Sequence, residues 1–144
     1  MAARNTARKR AFQILFEGDQ RGVDVQTVLA DWIRHSRSDT RQPPVSEYTM
    51  QLVEGYANYA RRIDDLISQY AVDWTLDRMP VVDRNLLRLG AYELIWVDET
   101  PDAVVLDEAV QLAKEFSTDE SPAFVNGLLG RFKELKSSLR RDEA

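Results

Sequence analysis

The chain has 144 residues, 44% of them apolar and 30% charged, with no cysteine, a single histidine and a formal net charge of -5. That profile suits one globular domain and excludes disulfides, thiolate metal sites and a histidine metal cluster. No run approaches the roughly 18 apolar residues a membrane helix needs, and no apolar signal core follows the basic start, so the expected compartment is the cytoplasm.

The charge is unevenly placed. Arg4, Arg8, Lys9 and Arg10 lie in the first ten residues with no acid among them, leaving -9 on the rest. An acidic body with a basic N-terminal segment, about residues 1–17, suits a localised contact with nucleic acid rather than binding over the whole surface.

Helical periodicity dominates in chain order. The first helix is expected roughly from Ala3 to Glu17, with Ala7, Ala11, Ile14 and Leu15 on one face and Gly18 as its stop. A second follows from about Asp24 to His35, striped by Val25, Val28, Leu29, Trp32 and Ile33. A polar stretch ending in Pro43 and Pro44 reads as a loop. Tyr48, Leu52, Tyr56, Tyr59, Ile63, Leu66 and Tyr70 then recur at steps of three and four, one face of a long helix. The segment from Trp74 to Pro80 holds a short turn, with Pro80 in the first turn of the next helix.

From Val81 to Val97 apolar residues surround Gly90 and Ala91 on several sides, which predicts a central helix closely approached by a neighbour. A fifth helix is expected from about Val104 to Phe116. The last is expected to begin with Ser121 as N-cap and Pro122 at the first helical position, and to carry Val125, Leu128, Leu129, Phe132, Leu135 and Leu139. The fold class is therefore all-α: a single domain of six or seven helices.

Catalytic chemistry is hard to place. There is no phosphate-binding glycine loop, and the one histidine, His35, falls at a helix end where its cationic form would favour the dipole. Paired acids such as Asp64–Asp65 and Asp107–Glu108 are adjacent in sequence and diverge by about 100° on a helix. The expectation is no enzyme, no catalytic residue, no cofactor and no metal.

Three blocks point to function. Residues 3–16, A-R-N-T-A-R-K-R-A-F-Q-I-L-F, put Arg4 and Arg8 one turn apart with Lys9 and Arg10 widening the basic face, and Phe12 and Phe16 nearby. Guanidinium groups beside aromatics suit single-stranded RNA, whose phosphates need cations and whose unpaired bases stack. Four cations neutralise only a few phosphates, which predicts modest affinity and help from a partner. The other two blocks are D-R-N-L-L-R-L-G-A-Y-E-L at 83–94, and L-D-E-A-V-Q-L-A-K from Leu106 followed by S-P-A-F-V-N-G-L-L from Ser121.

In this order and spacing, the blocks resemble the NusB family of transcription antitermination factors over essentially the whole chain, least in residues 20–45. The resemblance implies an all-helical fold of two small bundles sharing a core, without cofactor or catalysis. It implies binding to the boxA element of nascent RNA together with NusE, the tenth protein of the small ribosomal subunit. That complex helps load further Nus factors onto RNA polymerase, so that ribosomal RNA operons are read through. Family members include monomers and homodimers, which leaves a homodimer open.

By the same resemblance, Arg4, Arg8, Lys9 and Arg10 fall in an arginine-rich RNA-contacting segment, although Asn5 and Thr6 stand where the more arginine-dense members carry arginine. Phe16, Tyr70, Phe124 and Asn126 match RNA-facing positions. Asp83, Arg84 and Arg88 match the helix presented to NusE, and Glu120 an acidic position linked to antitermination. On that reading, Asp83→Lys impairs partner binding and leaves the fold intact. Two other readings stand beside it. One is the NusB-like RNA-binding module attached to ribosomal RNA methyltransferases, for which no following βαβ pattern is present; the other is a helical assembly factor that meets only proteins.

Overall fold

The computed structural model describes residues 2–72 and 74–141, so the Met1 end of the expected basic segment lies outside it. Helix α1 (Ala2–Arg21) buries Ala7, Ala11, Ile14 and Leu15, the predicted face, together with Phe12. It runs a full turn beyond the expected stop. Gly18 is helical and buried. Gly22 ends the helix with φ +67°, while Gly22 N–H donates to Asp19 O (3.3 Å) and Val23 N–H to Gly18 O (3.0 Å). These two bonds satisfy carbonyls that a helix end otherwise leaves open. Gly18 serves packing instead: a Cβ there would lie 3.1 Å from the Val23 carbonyl oxygen and 3.2 Å from Val25 Cγ1.

Helix α2 (Val25–Ser38) starts at Asp24, whose side chain accepts from Gln26 N–H at 2.7 Å. Val28 and Leu29 are its buried stripe, and Trp32 Nε1–H donates to Glu17 of α1 at 3.1 Å. The helix continues through His35, which is exposed in its last turn. The Pro43–Pro44 loop leads to Ser46. Its hydroxyl accepts from Thr49 N–H (3.2 Å), and so caps α3 (Glu47–Tyr70).

In α3 the stripe is only partly interior. Leu52, Tyr56, Ile63 and Leu66 are buried, whereas Tyr48, Tyr59 and Tyr70 are half-buried at its edges, where a tyrosine keeps its ring packed and its hydroxyl near water. A 3₁₀ turn (Leu76–Arg78) precedes α4 (Val81–Trp96), with Pro80 one position earlier than expected, as its cap residue. Helices α5 (Asp102–Phe116) and α6 (Ser121–Arg141) follow.

The chain folds into two compact units, Met1–Asn58 and Tyr59–Ala144. In the first, α1 packs on α2; in the second, α4, α5 and α6 pack on one another. As the multi-sided pattern of α4 predicts, Leu86, Leu87, Leu94 and Ile95 are fully buried, and a Cβ on Gly90 would lie 2.8 Å from Leu129 Cδ1 of α6. Among the described residues there are six α-helices and no strand, and no helix is long and apolar enough to cross a membrane.

The second unit also carries an aromatic cluster: Tyr59 of α3 stacks on Trp96 of α4 at 4.2 Å, with Tyr92 6.2 Å from Tyr59. Burial, and then the charges of Tyr59, Glu99 and Glu93, push the Tyr92 hydroxyl above its ordinary value of 10.0. The folded state therefore holds this proton more tightly than the unfolded chain. The stability it contributes is complete below about pH 10 and is lost as pH rises through the folded value. In an alkaline titration followed by tyrosinate absorbance, Tyr92 should contribute a late-ionising component that Tyr92→Phe removes.

Gly22 offers a cleaner test of backbone energetics, because nothing lies within 4 Å of an added Cβ there. Gly22→Ala should lower unfolding free energy by about 1 kcal/mol purely through the left-handed conformation, read as a shifted denaturant midpoint with an unchanged slope.

Candidate nucleic-acid interface

The cations of the first unit are held very differently from one another. The Arg4 guanidinium carbon lies 4.4 Å from the centre of the Tyr48 ring and that of Arg8 lies 5.7 Å from the same ring. Arg4 is half-exposed, while Arg8 is buried, at 3% exposure. Arg10 turns away from both. It donates to Pro44 O at 2.9 Å and Pro43 O at 3.5 Å, and lies 5.3 Å from the Trp32 ring centre, so it tethers the proline loop. The open cleft beside it, about 340 Å³, has mixed charge, lined by Glu17, Arg21, Asp31 and His35. Lys9 is half-exposed. Phe16 is half-buried 6.0 Å from the buried Phe12, so of the two only Phe16 reaches the surface appreciably.

In the second unit, Tyr70 at the end of α3 and Phe124 in the first turn of α6 line one open groove of about 600 Å³ with Gln69, Val72, Gly127 and Arg131. Tyr70 meets the buried Phe132 edge-on at 5.9 Å, and the Arg131 guanidinium lies 5.7 Å from its ring centre. Phe124 meets Trp74 edge-on at 5.1 Å. Tyr70 thus packs inward on Phe132 while Phe124 packs on the exposed Trp74, and both half-buried rings reach the groove. Val72 is 94% exposed at its lip, and Asn126 is exposed on α6.

Of the four residues expected to meet a protein partner, Glu120 alone is exposed. Arg84 is half-buried and donates to Leu76 O at 3.3 Å. Arg88 makes a two-pronged ion pair with Asp64 of α3, at 2.8 and 3.1 Å, and donates to Asn85 at 3.1 Å. Asp83 lies in the interior at 0% exposure. Ser117 Oγ–H donates to one of its oxygens (2.5 Å) and Ser121 Oγ–H to the other (2.8 Å). The carboxylate thus fastens the α5–α6 connection to the first turn of α4. Ser121 lies inside the start of α6 instead of capping it, and its hydroxyl serves Asp83.

The expectation that charge reversal at Asp83 spares the fold is therefore corrected. A lysine there places an ammonium against donor hydroxyls in place of the acceptor they require. Asp83→Lys should cost about 3–5 kcal/mol of stability and Asp83→Asn about 1–2 kcal/mol, both read by denaturant unfolding in the absence of any partner.

Three site neighbours were missed from sequence: Tyr48, Trp74 and Arg131. Tyr48 reads as one more member of an apolar stripe, and Trp74 sits in a segment read only as a turn. Arg131 could have been found, because it follows Phe124 by seven residues, two turns along the same helix face.

An all-α fold that presents guanidinium groups against half-buried rings has the features of a single-strand-binding surface. A sequence profile of the NusB family matches residues 5–134. The transcription antitermination protein NusB of Streptomyces avermitilis is 90% identical over 144 residues, covering 100% of both chains. Among solved structures, the NusB of T. maritima superposes with a TM-score of 0.80 at 32% identity, covering 98% of this chain and 97% of that one. A structure of the antitermination factors NusB and NusE in complex with double-stranded RNA gives 0.78 at 28% identity, covering 93% of this chain and 98% of that one. The chain belongs to the NusB family.

Proposed function

We propose that this chain is a transcription antitermination factor of the cytoplasm. It binds the boxA element of ribosomal RNA operon transcripts together with NusE, and in that complex helps load further Nus factors onto RNA polymerase. Its role is binding, without cofactor or catalysis. Family membership supports the role, and the solved NusB–NusE–RNA assembly supports the pair of partners.

The observation that carries the RNA half is the groove of the second unit, where Tyr70 and Phe124 reach solvent beside the Arg131 guanidinium. Aromatic surface next to a cation is what an unstacked base and its phosphate require. Arg4, Lys9 and Phe16 supply reachable cations and a ring in the first unit, and Asn126 a polar group that can meet a base edge. Glu120, and less so the half-buried Arg84 and Arg88, are the members of the partner set with surface to offer.

A titration of boxA RNA and a scrambled RNA, with and without NusE and across a salt series, tests this. Tighter binding of boxA, strengthened by NusE, is expected, with a logarithmic salt slope of about -0.7 per phosphate contacted. Equal affinity for both RNAs and no effect of NusE would reject the reading. NusE binding without any RNA binding would leave a protein-only assembly factor. Light scattering on the free protein shows whether a homodimer competes for the same surface.

A further inference from the structure

The basic segment of α1 is electrostatically awkward. Four cations crowd the N-terminal half of a helix whose dipole is positive at that end, and the first turn holds no acid. A contact from outside that turn can offset the crowding. A ring face does so by its negative quadrupole, and the attraction grows where water is excluded.

Tyr48 provides that face. Both Arg4 and Arg8 approach its ring, at 4.4 and 5.7 Å, but only Arg8 is buried. The ring itself is held in register by its chain neighbours. Ser46 caps α3 through Thr49 N–H, and the fully buried Thr49 hydroxyl donates to Ala7 O of α1 at 3.0 Å. The first turn of α3 is thus pinned to α1 one residue away from the ring that takes the two guanidiniums.

Building on the RNA-binding reading, we propose that Tyr48 is a positioning residue for the basic helix. Its ring holds the half-exposed Arg4 guanidinium ready for a phosphate, while Arg8 is an interior prop for the same ring and contacts no RNA. A pre-ordered Arg4 loses less side-chain freedom on binding than a solvated one. A buried Arg8 cannot release counterions from RNA, so its charge should be absent from the salt slope.

The test uses the full chain with boxA RNA and NusE. Arg4→Gln should flatten the salt slope by about 0.7. Arg8→Met and Arg8→Gln should leave the slope unchanged; two neutral substitutes keep the comparison usable if one fails to fold. Tyr48→Leu should weaken binding about three-fold, the size of an exposed cation–π contact, and Tyr48→Phe should bind like the parent chain. Adding Arg4→Gln to Tyr48→Leu should then cost less than Arg4→Gln alone.

A readout without RNA stands beside these. In nitrogen-edited NMR of the free protein, the Arg4 Nε–H resonance should be shifted by the ring current, keep that shift in Tyr48→Phe and lose it in Tyr48→Leu. The assignment is overturned if neutral Arg8 variants flatten the slope as Arg4→Gln does, if Tyr48→Leu binds normally, or if the Arg4 resonance ignores Tyr48. A parent chain that binds no RNA overturns the functional reading itself, and the role of Tyr48 in RNA binding with it; the NMR arm separates that failure from a failure of the ring contact.

Discussion

Arg4, Arg8, Lys9 and Arg10 put four like charges within seven residues at the positive end of the α1 dipole. The first unit is arranged around that crowding. Arg10 is drawn off to the carbonyls of Pro43 and Pro44 and to the Trp32 ring, which fixes the loop joining α2 to α3. Arg8 is drawn inward and Arg4 is laid against Tyr48, which depends on α3 starting where Ser46 caps it. What reaches solvent is a small, partly ordered set of cations rather than a flexible basic tail. Such a set suits modest affinity raised by a partner better than strong independent binding.

The second unit has a different organising group, the buried Asp83 carboxylate. Two serine hydroxyls, Ser117 and Ser121, point at it, so the start of α6 is fixed relative to the start of α4. Phe124 stands in the first turn of α6, and its position in the groove follows from that attachment. A charge within a helix matched to partner binding can thus be structural, and loss of a partner in an Asp83 variant has to be separated from loss of fold. Arg88 illustrates the same point less severely, since its two-pronged pair with Asp64 ties α4 to α3.

Much of the architecture was legible in the sequence. Every predicted helix is present, and the Gly90–Ala91 pair does admit a close neighbour, Leu129. The misses lie at helix ends. Gly18 reads as the stop of the first helix, yet it is Gly22 that takes the positive φ, and Gly18 lies where α1 passes the Val23 carbonyl and Val25. Ser121 and Pro122 resemble a cap and a first residue, but the serine hydroxyl has a stronger acceptor in Asp83, 38 residues earlier. Local signals compete with such long-range acceptors and cannot register them.

The helical periodicity, the basic helix and the F-V-N-G and L-D-E-A-V-Q-L-A-K blocks are all local signals, and by themselves they determined the all-α class, the family resemblance and the kind of ligand to expect. Which cations remain available was decided only by tertiary structure. Arg4, Arg8 and Arg10 are chemically identical and lie within two turns of one helix, yet one is half-exposed on a ring, one is buried and one binds a loop. The difference comes from the Tyr48 and Trp32 rings and the Pro44 carbonyl, all distant in sequence and brought to α1 only by folding. Burial and charge environment belong to those three-dimensional neighbours, and a helix face read from its own spacing does not contain them.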